Sequence, residues 1–140
     1  MIRRRAGGGH SVAVAKELSL MLENKRGALA ELCSKLAEKA VNILGLMAPE
    51  QAGVAPVRLV VNHVDTARRI FDQLGLKYTE NDVLNVPLSD KPGALGKLTR
   101  KLADHNINVS YAYATILKGS GKASVILGVS DVEAASKIVK

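Results

Sequence analysis

The sequence predicts an α+β protein. Two tandem ferredoxin-like βαββαβ units are expected, each an antiparallel sheet with its helices on one face, the second unit lacking its last strand. Three observations predict this. The first is an internal repeat. Asn24-Lys25-Arg26-Gly27-Ala28-Leu29 returns 66 residues later as Asp90-Lys91-Pro92-Gly93-Ala94-Leu95. The register then holds without a gap through Leu32 and Leu98, Leu36 and Leu102, Asn42 and Asn108, to Asp65 and Asp131. That period is longer than a solenoid unit, so two copies of a small domain are the simpler reading. The second is length, since 140 residues suit two such domains. The third is that each copy alternates short extended runs with helical-period segments, in the order strand, helix, strand, strand, helix, strand.

In chain order, residues 1–15 read as a flexible basic tail. Gly7-Gly8-Gly9 loses much entropy on ordering and offers nothing to bury. Residues 16–82 form the first domain and 83–140 the second. Residues 17–22 are short and alternate in part, as a strand does. From Ala28 to Lys39, Leu29, Leu32, Cys33 and Leu36 recur at helical spacing, with Glu31, Lys35 and Glu38 on the other face. Strands follow at 41–48 and 56–61, joined by a turn at 49–53. Asp65 is the expected N-cap of a second helix that buries Ile70, Phe71 and Leu74 and ends at Gly75. Residues 76–88 carry no strong breaker before Pro87, so the last strand of copy one runs into the first of copy two. Copy two repeats the plan. Its helix spans 93–105 with Leu95, Leu98 and Leu102 inward, its strands span 107–117 and 122–129, and Asp131 caps a last helix. The chain supplies no closing strand after it. That deficit implies pairing with copy one or with a second chain.

Composition excludes several function classes. The chain is 47% hydrophobic and 24% charged, with no Trp, one Phe and three Tyr. So few aromatics disfavour a base-stacking surface, and Tyr78, Tyr111 and Tyr113 do not form an RNA-recognition motif. The net charge of +7 permits an anionic partner, but it is spread along both copies, with only Arg3 to Arg5 grouped. One cysteine, Cys33, excludes an internal disulfide, and His10, His63 and His105 share no metal-ligand spacing. No run suits a membrane span, and the apolar patch after the arginines is too short for a secretion signal, so a cytoplasmic protein is expected. Gly119-Ser120-Gly121-Lys122 echoes a nucleotide-binding loop. Ile116 stands in place of its first glycine, and Ala123 in place of the magnesium-binding hydroxyl, so the segment reads as a hairpin turn. No nucleophile elbow, catalytic carboxylate pair, metal set or cofactor fingerprint is present.

The duplicated loop remains. It joins a strand to a helix start, where backbone N–H groups lack partners and a partial positive charge favours a carboxylate. Gly27 and Gly93 leave the main chain open to close approach. Asn24 and Asn42 offer amide groups to either end of a free amino acid. Capping alone is the simpler alternative for Asn24 and Asp90, and local turn bonding for Asn42 and Asn108.

These residues resemble the opening of an ACT domain, the small regulatory module of amino-acid metabolism, and do so twice. Asn24 to Leu29 followed by Val41-Asn42-Ile43 matches once, and Asp90 to Leu95 followed by Ile107-Asn108-Val109 matches more closely. The resemblance covers about residues 16–140 and implies a stand-alone tandem ACT protein without a catalytic domain or cofactor. It implies that a free amino acid binds between the loop before the first helix of one domain and a neighbouring domain. Carried over by position, the ligand-binding residues are Asn24, Gly27, Ala28, Leu29 and Asn42 in copy one, and Asp90, Gly93, Ala94, Leu95 and Asn108 in copy two. Pairing through sheet edges implies a homodimer. The alternatives are a subunit that regulates an amino-acid-metabolism enzyme by contact, and, less favoured, a ferredoxin-like nucleic-acid binder. The chain departs from the family at Arg26, where proline is usual, at Ala40, where glycine is usual, and at Asp90, whose charge repels a ligand carboxylate unless it meets the ammonium instead.

Overall fold

A computed structural model describes residues 13–49, 54–117 and 119–139. The expected tail over residues 1–12, most of the 49–53 turn and Lys118 lie outside these residues. Ten elements follow in chain order: β1 (Ala13–Glu23), α1 (Ala28–Glu38), β2 (Ile43–Met47), β3 (Val54–Val61), α2 (Val64–Leu74), β4 (Tyr78–Ser89), α3 (Ala94–Asp104), β5 (Val109–Leu117), β6 (Lys122–Val129) and α4 (Val132–Ile138). The βαββαβ plan is present, with β4 serving as the last strand of one copy and the first of the next.

The first unit comprises Lys16–Asn81. Its strand order is β2-β3-β1-β4, and β3 pairs antiparallel with both β1 and β2. Strand periodicity decides the faces. Leu18, Leu20 and Leu22 of β1 and Val57, Leu59 and Val61 of β3 alternate onto one side. There they pack with Leu32 and Leu36 of α1 and Ala67, Ile70 and Phe71 of α2. The Tyr78 ring meets Phe71 edge-on, with ring centroids 5.3 Å apart.

Asp65 is not the cap of α2. The helix begins one residue earlier, His63 is its N-cap, and no side chain caps it. Asp65 lies in the first turn and pairs with Arg68, which also forms hydrogen bonds to Glu80 on β4. The hydrogen bond from Arg68 holds the Glu80 carboxyl below its usual range, and Glu80 in turn raises the Arg68 guanidinium.

The second unit groups residues 82–140 with the start of β1, residues 13–15. Those three residues were expected in the tail. Ala13-Val14-Ala15 instead continues the extended run of β1. Within this unit the strand order is β4-β6-β5, and β6 pairs antiparallel with both neighbours. Among the described residues α4 is the last element, and the start of β1 groups with this unit. Leu84, Val86, Val125 and Leu127 face Leu98, Leu102 and Ala135 in a second core. Asp131 caps α4 as expected, its side chain accepting from the Ala134 N–H at 3.0 Å. The β5–β6 connection is a turn, with φ of 82° at Gly119 and 73° at Gly121.

The repeat reaches into irregular detail. Both β2 and β5 carry a bulge at the same place, Ile43/Gly45 and Val109/Tyr111. Both first helices end on a left-handed residue, Ala40 at φ 59° and Asn106 at φ 61°. The Val41 N–H then returns to the Leu36 carbonyl, and the Ile107 N–H to the Leu102 carbonyl. These tight ends are why β2 and β5 start two residues later than periodicity alone suggests. Asparagine tolerates this backbone, whereas alanine is strained there by about 1–2 kcal/mol. Ala40→Gly is expected to stabilise the protein by about 1 kcal/mol after the entropy of glycine is subtracted. A melting temperature that does not rise would mean that Ala40 carries no strain.

Candidate functional site

α1 starts after Gly27, at φ 85° and ψ −11°, and α3 after Gly93, at φ 90° and ψ −13°. Only glycine adopts this left-handed backbone freely, which explains its return at both entrances. The N-cap of each helix is the glycine itself, which has no side chain to cap with. The Ala28 N–H donates to the Lys25 carbonyl at 3.2 Å, and the Ala94 N–H to the Lys91 carbonyl at 3.3 Å. Two of the candidate amides are thus held within their own loops. A Cβ built on Gly27 or Gly93 meets nothing within 4 Å, so both entrances face open space.

In the first unit, Asn24 and Leu29 line a recess of about 350 Å³ together with Lys25, Ala48, Pro49 and Val57. Ala28 lines a neighbouring recess of about 210 Å³ with Glu31, Leu74 and Leu76. The Lys25 ammonium lies 3.1 Å from Glu23, both exposed. In the second unit, Ala94 lines a recess of about 240 Å³ beside Lys97, Lys101 and Val139. Glu31 of copy one thus has a lysine, Lys97, at the same place in copy two. The two entrances share a backbone but differ in charge.

Leu29 and Leu95 were expected to face inward. They are 36% and 47% exposed, because the first turn of each helix overhangs the core that Leu32, Leu36, Leu98 and Leu102 fill. Their exposure places them at the entrances rather than in the packing. Lys25, Ala48 and Pro49 were not singled out from the sequence. Lys25 had a signal in its repetition as Lys91, while the other two come to the recess through the pairing of β2.

Asn42 and Asn108 occupy equivalent places at the far ends of the helices. The Asn42 N–H donates to Asn62 Oδ1 at 2.8 Å, and its carbonyl accepts from the Asn62 N–H at 3.1 Å. The Asn108 N–H donates to Ser130 Oγ at 3.0 Å, and its carbonyl accepts from the Ser130 N–H at 3.0 Å. Their backbones are pinned and both residues are exposed. Eleven helical residues separate Gly27 from this end of α1, roughly 16 Å. Within one unit the structure does not bring Asn42 to Asn24 and Gly27, nor Asn108 to Asp90 and Gly93.

Among the described residues, no group of three His, Cys, Asp or Glu side chains is placed to hold a metal, and no helix is long and apolar enough to cross a membrane. His105 is the C-cap of α3, with Nδ1 2.9 Å from the Lys101 carbonyl, a local role. Cys33 is half-buried on α1.

A family profile described as an ACT domain pair matches residues 13–139, nearly the whole chain. The chain belongs to the ACT domain family. It is an ACT domain pair, and ACT domains are regulatory modules rather than catalytic ones. The sequence matches no curated protein. The pair resembles the crystal structure of a protein from Bacteroides thetaiotaomicron, with a TM-score of 0.84 at 28% identity over 91% of this chain and 87% of that one. It shares its fold with the regulatory subunit of aspartate kinase from Thermus thermophilus, with a TM-score of 0.69 at 16% identity over 91% and 93% of the chains. The same holds for the subunit from Thermus flavus, with a TM-score of 0.65 at 14% identity over 92% and 93%.

Proposed function

We propose that this ACT domain pair is a non-catalytic sensor that binds a free amino acid at the glycine entrances and acts as a cytoplasmic homodimer. The observation that carries this reading is the helix start behind Gly27, whose N-cap has no side chain, opening beside the recess lined by Asn24 and Leu29. The ligand carboxylate meets backbone amides of the first helical turn and the partial positive charge there. Because the Ala28 and Ala94 amides are engaged locally, the capture falls to the amides that follow, at Leu29 and Leu95. Asn42 and Asn108 join only across a two-fold axis. That axis sets the C-terminal end of one helix beside the N-terminal end of its copy, closing each site with a partner's amide. Ligand binding then favours one subunit arrangement, by its differential affinity for it. An enzyme of amino-acid metabolism is the expected receiver of that change.

The test is thermal denaturation with each of the twenty amino acids at millimolar concentration. At about one hundred times Kd, a ligand adds about 2.7 kcal/mol and raises the melting temperature by several degrees. Gly27→Val and Gly93→Val should each weaken that response. Because both glycines have positive φ, each valine also lowers the unliganded melting temperature, so the shift is read against the variant's own baseline. If no amino acid stabilises the native protein, the sensor reading fails. Regulation through contact with an enzyme, without a ligand, then takes its place.

A further inference from the structure

We propose that the second unit carries a separate ligand site, a recess beneath α3 that takes an aliphatic organic acid lacking an ammonium group. This goes beyond the amino-acid sensor proposed above, and its test needs no amino-acid response. The recess, of about 240 Å³, lies between β4, α3 and the C-terminal end of α4. Val86, Leu88, Leu98 and Val139 give it apolar walls, and Lys97 and Lys101 are the charges among its described lining residues. Ala94, Lys97, Leu98 and Lys101 follow at helical spacing and share one face of α3. Leu95, whose amide opens at the glycine entrance, is not on that face, so the two sites are distinct.

Both lysines stand against local preference. The start of a helix favours acids, and α1 has Glu31 there. The first turn of α3 has no acid and holds Lys97 at the same position. Glu31 and Lys35 have the favourable order and spacing for an attractive pair, whereas Lys97 and Lys101 set two like charges four residues apart. Asp104, the one acid of α3, is paired with Arg100 at 3.7 Å. Among the described residues neither lysine side chain meets a carboxylate. An anion bound between them offsets both costs. The lining also selects its class. Two long lysine stems, with Cβ atoms about 5–6 Å apart, can converge on one carboxylate. The apolar walls receive an aliphatic body. No acid is present to receive an ammonium, which would lose water and gain no partner. In copy one the corresponding recess has Glu23 and Glu31 beside Lys25, a mixed set that suits a zwitterion instead.

Isocaproate, which is leucine without its ammonium group, tests this on the full chain by nuclear magnetic resonance. It should bind with a Kd of about 1 mM and move the backbone amide signals of Leu98, Lys101 and Val139. Leucine should act on the same amides about tenfold more weakly or less. Lys97→Gln and Lys101→Gln should each weaken isocaproate about tenfold, as loss of a charge-assisted contact does. Lys35→Gln on α1 should change nothing. Lys97→Glu should abolish binding yet raise the melting temperature, because it restores the acid that copy one has, and this separates lost binding from lost folding. Still amides at the recess, glutamine variants that bind like the native chain, or a Lys97→Glu variant that melts lower each overturns the proposal. So does equal binding of leucine or of inorganic phosphate, since then neither the missing acid nor the apolar walls select the ligand. Such a failure leaves the amino-acid response of the first unit untouched.

Discussion

Arg58→Met is expected to lower the unfolding free energy by about 3 kcal/mol. The reason is Glu17, a carboxylate with no exposed surface whose Oε1 lies 3.5 Å from Arg58 Nη1. Both side chains stand on the face of the first unit's sheet opposite the helices. Leu18 pairs with Leu59 and Ser19 with Arg58, which makes Arg58 a near neighbour of Glu17 across β1 and β3. Each also has further polar interactions, so the pair is one part of a local network. Removing the cation leaves a charge that water cannot reach, a far larger loss than breaking an exposed ion pair. The melting temperature should fall by roughly 10 °C. Glu17→Met added to Arg58→Met should recover most of that loss, because apolar groups of similar volume commonly replace a buried pair at little cost. Denaturant titration of the three variants measures the cycle. A single variant as stable as the native protein would mean that Arg58 does not carry the Glu17 charge.

Gly128→Ala should cost about 1–3 kcal/mol, as overpacking does. Gly128 on β6 faces Tyr111 on β5, and the ring lies across the glycine. A Cβ there would stand 2.3 Å from both Cε1 and Cζ, closer than any packed contact. The ring must lift away and expose its face. Tyr111→Ala removes the obstacle, so it should cost less in the Gly128→Ala background than in the native one. A double-mutant cycle reads this coupling, and strictly additive effects would mean that the ring swings aside freely. The ring closes over the glycine beside the bulge at Val109/Tyr111.

Most of the fold was legible because its signals are local. Helical spacing marked α1 and α3, the repeated glycines marked their entrances, and Asp131 marked the start of α4. The 66-residue repeat implied two units before any pairing was known. Asp65 misled because a short polar residue before an apolar run suits both a cap and a first turn. Only the place where the helix hydrogen bonds begin separates the two, and that place is Val64.

The sequence by itself determined the duplicated βαββαβ plan and the bare glycine at each helix start, since these follow from short stretches of chain. Tertiary structure alone decided what depends on residues far apart. It buried Glu17 against Arg58, laid Tyr111 over Gly128 and left β5 as an outer strand. It also set Asn42 a helix length from Gly27, because a strand, a helix and the next strand run down and back, parting the two ends that a linear motif places side by side.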